Sequence, residues 1–281
     1  MSTDAEPSGA TLSYRHILER EMENALQEVG RPRTGLFLSG LSAGLNLSFG
    51  ALFMAMALTF SGGFASDLVQ QAVLAAVSAI AFLFVVIGQT ELFTAQATMA
   101  ILPVLDGRIG LRALGRLWGI IYVANLLGCA GFSLLIATVG PPMGIVDPGA
   151  AGTLADALTG LRWWVVLASA VVAGWLMGLA TWLAAASRDT VGRVLIVLLV
   201  TATIGFGPFH HVILGTTELL TAMLLGQGVS PATFGAFLAL ATVGNTIGGS
   251  VFVGLLNYGH VALAGDEADV DFEAETGSEE E

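Results

Sequence analysis

Two adjacent histidines, His210 and His211, stand in an apolar stretch, GFGPFHHVILGTTELLTA, at positions 205–222. Histidine has an ordinary pKa of about 6.5, so a small change of surroundings moves its charge across physiological pH. His211 can therefore act as a proton donor or as a switchable positive charge. His210 next to it points elsewhere and is expected to meet a carboxylate. An earlier stretch, GQTELFTA at 88–95, shares six of eight residues with GTTELLTA at 215–222. Together with Asn46, Asn125 and Asn245 these stretches supply a polar set in apolar surroundings: Gln89, Thr90, Glu91, Thr94, Thr216, Thr217 and Glu218. Ionisable residues within membrane spans are costly and face a cavity or a partner. Glu91 and Glu218 read best as structural supports, with Asn125 and Asn245, accepting N–H groups freed where a helix breaks.

Other chemistries lack their residues. Adjacent histidines are not at i,i+4 metal-ligand spacing, and there is no Cys/His cluster. Gly205-Phe-Gly207 breaks a helix and is not a phosphate cradle. The sequence therefore indicates neither an enzyme nor a bound cofactor or metal, and nothing in it points to nucleic acid. Cys129 is the single cysteine, which excludes an intrachain disulfide.

The elements that must position these residues are membrane spans. Hydrophobic residues make up 55% of the 281 and charged residues only 11%, against roughly 25% charged in soluble domains. Six apolar segments follow one another: 35–60, 68–105, 117–139, 163–186, 194–225 and 231–258. The second and fifth are too long for one simple span and carry polar residues or Gly and Pro inside. Residues 13–29 have helical amphipathic spacing at Leu18, Met22, Leu26 and Val29. This is either a packing helix or one lying on the membrane surface. Residues 1–12 show no cleavable signal peptide.

All ten basic residues are arginine. Arg15, Arg20, Arg31, Arg33, Arg108, Arg112, Arg116, Arg188 and Arg193 fall on one side of a six-span arrangement, and only Arg162 falls on the other. Excess arginine marks the cytoplasmic face. Both termini are then expected to be cytoplasmic in a multi-pass protein of the cell membrane. Three parts follow: a cytoplasmic segment with an amphipathic helix (1–34), a six-helix transmembrane domain (35–260) and an acidic, disordered cytoplasmic tail (261–281).

The halves resemble each other in a fixed order of landmarks: Ala43-Gly44 with Ala173-Gly174, the two TEL-x-TA stretches, and Asn125-Leu-Leu-Gly128 with Asn245-Thr-Ile-Gly248. Three spans per half reverse the direction, which makes an inverted repeat with discontinuous helices near the midplane. Glu91 and Glu218 take equivalent positions in this alignment. Small residues at helical spacing, Gly40, Gly44 and Ser48, and Gly174 and Gly178, indicate close helix packing and oligomer contacts.

The chain resembles the formate/nitrite transporter family over roughly residues 31–260. The resemblance rests on Leu92-Phe93-Thr94, Asn125-Leu-Leu-Gly128, Phe209-His210-His211 and Gly244-Asn245-Thr-Ile-Gly248-Gly249. It implies an all-α, aquaporin-like protomer of six transmembrane helices in an inverted 3+3 repeat, with helices two and five interrupted. It also implies a homopentamer with one pore per protomer, and small monovalent anions of weak acids, moved with protons, as partners. By resemblance His211 faces Thr94 across the pore. One apolar constriction maps to Leu92 with Ile204 or Phe206, and the other to Phe82 and a residue of the first segment. Phe209 and His210 adjoin the pore, and a cationic vestibule draws the anion in. Two departures, His210 where an acid is usual and only Arg162 near the mouth of segment four, resemble a divergent, YfdC-like branch. The alternatives are an aquaporin-like pore for neutral solutes, which would want an absent Asn-Pro-Ala pair, and a membrane-embedded proton-coupled sensor or enzyme.

Overall fold

The computed structural model describes residues 12–263. The first eleven residues, where no signal peptide is expected, and most of the acidic tail lie outside them. Among the described residues the fold is all helix. In chain order the helices are α1 (Tyr14–Gly30), α2 (Arg33–Phe60), α3 (Asp67–Val86), α4 (Phe93–Met99), α5 (Leu102–Leu105) and α6 (Leu111–Val139). They are followed by α7 (Pro148–Leu158), α8 (Trp163–Ala186), α9 (Thr190–Phe206), α10 (Val212–Leu224) and α11 (Pro231–Ile247). A π-helical stretch (Gly248–Leu255) then leads into α12 (Leu256–Leu263). The helices α2, α3, α6, α8 and the run 231–263 are long and apolar enough to cross a membrane. Large apolar side chains such as Trp163, Leu195 and Leu199 are exposed on the outside. With the arginines gathered at the segment ends, this is a multi-pass membrane fold.

The second and fifth apolar segments are interrupted, between α3 and α4 and between α9 and α10. Gln89 takes a positive φ of 51° in the first break, and Gly207-Pro208 ends α9 in the second. Each break frees backbone groups that water cannot reach at membrane depth. One asparagine satisfies each set. The Asn125 side chain accepts from Phe93 N–H at 2.9 Å and donates to the carbonyls of Gly40 (2.7 Å) and Glu91 (2.9 Å). The Asn245 side chain accepts from Val212 N–H at 2.8 Å and donates to the carbonyls of Ala170 (2.8 Å) and His210 (2.9 Å). Both asparagines are fully buried.

The asparagines reach the breaks because their helices cross at glycine. A Cβ on Gly44 would lie 2.2 Å from the Asn125 carbonyl oxygen, and one on Gly174 would lie 2.2 Å from that of Asn245. Helix α2 therefore presses on α6, and α8 on α11, with backbone against backbone.

These bonds correct one part of the sequence reading. They make Phe93 the counterpart of Val212, and Glu91 the counterpart of His210. The TEL-x-TA alignment instead pairs Phe93 with Leu220, about two helical turns further on. Glu91 and Glu218 are not equivalent: Glu91 precedes α4, while Glu218 lies inside α10.

Two further features go beyond the sequence reading: helix α7 occupies the connection between the third and fourth segments, and the π-helical stretch interrupts the sixth. Of the two readings of α1, the structure shows a helix that packs on protein. On α1, Ile17, Leu18, Met22 and Ala25 are buried. Arg20 donates to the carbonyls of Ala185 (2.7 Å) and Ser187 (3.2 Å) at the end of α8, and Arg116 donates to Val29 O (2.7 Å).

Replacing Asn245 by Ala leaves two buried backbone groups of the break unpaired, Val212 N–H and His210 C=O, at about 1–3 kcal/mol each. Thermal unfolding of the detergent-purified protein should show Asn125→Ala and Asn245→Ala far less stable than the parent. Asn46→Ala, which loses only a 3.4 Å bond to Ser42, should change stability by less than about 0.5 kcal/mol.

Candidate functional site

The two breaks meet at a single contact. Leu92 caps α4 and His211 caps α10, which brings Thr94 Oγ1 and His211 Nε2 to 2.9 Å. Both residues are buried, with His211 only 1% exposed. The ring of fully buried Phe82 meets the imidazole edge-on at 5.2 Å. Leu214 N–H donates to His211 Nδ1 at 3.2 Å. A nitrogen that accepts carries no proton, so the neutral ring holds its proton on Nε2. His211 therefore donates through Nε2 to the Thr94 hydroxyl, and the Thr94 O–H is left for another acceptor.

Cavities lie to either side of this contact, and neither His211 nor Thr94 lines one. On the arginine side a space of about 500 Å³ is bounded by Leu92, Gln89, Thr90 and Glu91, and by α1. On the opposite side a space of about 90 Å³ is bounded by Ile204, Phe209, Leu214 and Glu218. Leu92 and Ile204 thus lie on opposite sides of the histidine and do not form one constriction. Phe206 is 47% exposed and lines neither space, because the end of α9 turns it outward. Phe82 stands at the contact itself.

His210 has a different task from its neighbour. Its Nε2 donates to Leu158 O at 3.2 Å, which leaves Nδ1 to accept from Ser169 Oγ at 2.8 Å. Its backbone N–H also reaches Ser169 Oγ, at 3.2 Å. These bonds tie the break to α7 and α8. The expected carboxylate is absent among the described residues, and the ring lines neither cavity. The sequence offered no sign of Ser169, which stands in an ordinary-looking apolar helix.

The two glutamates also divide. Glu91 accepts from Gln96 Nε2, lies 3.6 Å from Arg31, and its backbone N–H reaches Ser39 Oγ at 3.1 Å. Glu218 is 8% exposed and lines the smaller cavity. Among the described residues it accepts no hydrogen bond and meets no cation. It does not supply the support expected of it.

The arginine-side cavity is charged but not predominantly cationic. Arg20, Arg31 and Arg193 share its lining with Glu21, Glu28 and Glu91, and Arg31 is bonded to Glu28 at 2.7 Å. No groups of His, Cys, Asp and Glu that could hold a metal occur among the described residues.

Similarity to known proteins agrees with this geometry. The family described as "Formate/nitrite transporter" matches residues 15–259. The "Probable formate transporter" of Methanothermobacter thermautotrophicus is 30% identical, over 76% of this chain and 84% of its own. The "Inner membrane protein YfdC" of Escherichia coli (strain K12) is 25% identical, over 92% and 81%. Among solved structures an "FNT family ion channel" superposes with a TM-score of 0.80 at 22% identity, over 88% of this chain and 99% of that one. A "Pentameric formate channel with formate bound" gives 0.69 at 21%, over 82% and 98%. The matched family is one of membrane transporters rather than enzymes. The chain belongs to the formate/nitrite transporter family.

Helix α1 carries a titratable group against the larger cavity. Burial raises the Glu21 carboxyl from 4.5 to about 8, with Arg193 and then Arg20 pulling the other way. The folded protein therefore keeps a proton that the unfolded chain releases above 4.5. Stability falls as pH rises between 4.5 and about 8, and levels off above it. Thermal midpoints of the purified protein across that interval should decline less in Glu21→Gln than in the parent. Equal slopes would remove Glu21 from the account.

Proposed function

We propose that the protein is a channel for small monovalent weak-acid anions such as formate or nitrite, linked to protons through His211. The observation that carries this reading is the buried Thr94–His211 contact, closed between two cavities by apolar walls. An anion entering such a point sheds its water at high cost. A weak acid can cross as the neutral molecule, provided a donor waits at the narrowest place. In this reading Nε2–H of His211 turns from Thr94 to the solute, and the Thr94 hydroxyl donates beside it. Delivery of a full proton requires the imidazole to take one at Nδ1, which Leu214 N–H must first release.

The proposed arrangement is six spans in an inverted 3+3 repeat, supported by the matched tasks of Asn125 and Asn245. The arginine-bearing side is cytoplasmic and both termini lie there, on the distribution of arginine. Assembly as a homopentamer with one pore in each protomer is proposed from the likeness to the pentameric formate channel.

Reconstituted protein should take up formate or nitrite, faster at acid pH. His211→Asn, which keeps a hydrogen-bonding side chain but cannot be protonated, should lose most of that pH dependence. A full complement of pH dependence in His211→Asn would remove the histidine from proton transfer. Silence of the parent toward every weak-acid anion, with swelling in neutral solutes, would favour an aquaporin-like pore instead.

A further inference from the structure

Glu218 stands inside a membrane-spanning region without a partner. It is more than nine-tenths buried, lines the smaller cavity and meets neither a hydrogen-bond donor nor a cation among the described residues. A carboxylate so placed is costly unless something comes to it. The elements packed against α10 offer no charge to answer it. Helices α2, α4, α6, α7 and α11 turn no titratable or charged side chain into this cavity. Asp67 of α3 and Asp156 of α7 are exposed and lie outside its lining. His210 is occupied by Ser169 and Leu158, and the Cys129 thiol by the carbonyls of Gly44 and Ile213. The polar company at the cavity is neutral: Gln70, Gln71 and Thr153.

The position along α10 completes the geometry. Glu218 lies seven residues beyond His211, about 10 Å along the helix axis. The two groups do not touch, so anything passed between them must move with the solute or through water. Glu218 has Ile204, Leu214 and Phe209 with it around the same space. An entering solute therefore meets the carboxyl before the apolar walls close on it.

We propose that Glu218 is the proton-exchange and selectivity group of the outer half of the pore, a role that rests on the weak-acid channel reading above. The protonated carboxyl gives its proton to the incoming anion, forming the neutral acid and leaving Glu218 as carboxylate. The neutral acid moves on to the Thr94–His211 contact, and external water returns a proton to Glu218. In its ionised form Glu218 repels anions across a short, poorly hydrated distance. The same residue thus admits weak acids when protons are available and bars permanent anions when they are not. The two carboxylates of the TEL-x-TA stretches then have separate tasks, Glu91 held by Arg31 and Gln96, and Glu218 left free to exchange.

The test uses the full chain reconstituted in liposomes, with radiolabelled formate as probe and an internal pH dye to count protons. From acid to mildly alkaline pH, Glu218→Gln should flatten the dependence of uptake on pH. Near the upper end its formate uptake should exceed that of the parent several-fold, because the repelling charge is gone. Protons moved per formate should fall. Glu218→Asp, which keeps the exchangeable proton, should keep the parental slope at reduced rate. A misfolded variant cannot give more flux than the parent, so the gain at high pH separates this role from a structural one. Parental slope and proton count in Glu218→Gln, with formate uptake intact, would overturn the role of Glu218 and leave the channel reading standing. A parent that moves neither formate nor nitrite at any pH would overturn both.

Discussion

The architecture depends on two buried asparagines, each satisfying a broken helix. A helix interrupted at membrane depth is viable only if the freed N–H and C=O groups find partners within the protein. Asn125 and Asn245 each meet two such groups, accepting from one N–H and donating to one C=O, and each donates a second bond to a carbonyl of the neighbouring helix, Gly40 O or Ala170 O. A single amide side chain offers one acceptor and two donors, whereas a carboxylate donates none and a hydroxyl only one. Each asparagine also needs close access, and Gly44 and Gly174 give it by letting the neighbouring helix approach without a Cβ. The breaks in turn set Leu92, Thr94 and His211 where the halves meet.

At that meeting point the chemistry is set by what each hydrogen bond already occupies. Leu214 N–H claims Nδ1 of His211, which assigns the proton to Nε2 and points it at Thr94. His210, one residue away, is claimed at both ring nitrogens and braces the break against α7 and α8. Both histidines are bonded at both ring nitrogens, and they differ in their partners: His211 meets the Thr94 hydroxyl of the other break, whereas His210 meets α7 and α8. The glutamates divide by the same rule, with Glu91 engaged and Glu218 open to a cavity.

Much of this was legible in the sequence. Composition and the arginine distribution indicated a multi-pass membrane chain, and Gly-Pro before the histidines marked a break. The Asn-containing motifs and the paired glycines marked residues that do matching work in the structure, Asn125 and Asn245 at the breaks and Gly44 and Gly174 at the helix crossings. The more conspicuous likeness, TEL-x-TA, misled. It compares a stretch that straddles the start of α4 with one inside α10, and chain similarity carries no information on where a helix starts. Phe206 was misplaced for a related reason: near a helix end a shift of one residue turns a side chain from the pore to the outside. The partners of His210 were not legible at all, since Ser169 and Leu158 O are distant in sequence. Nor was the even balance of acids and arginines in the larger cavity, because α1 brings Glu21 and Glu28 there only through its packing.

In the proposed channel, solute passes through the Thr94–His211 contact and nowhere else in the protomer. Filling that contact is the most direct trial. Formate flux should be measured in liposomes carrying His211→Trp at the oligomeric state and thermal midpoint of the parent. The expected result is near-complete loss of flux, since an indole cannot leave the space between Phe82 and Thr94. Flux equal to the parental value from a stably folded His211→Trp protein would contradict the account.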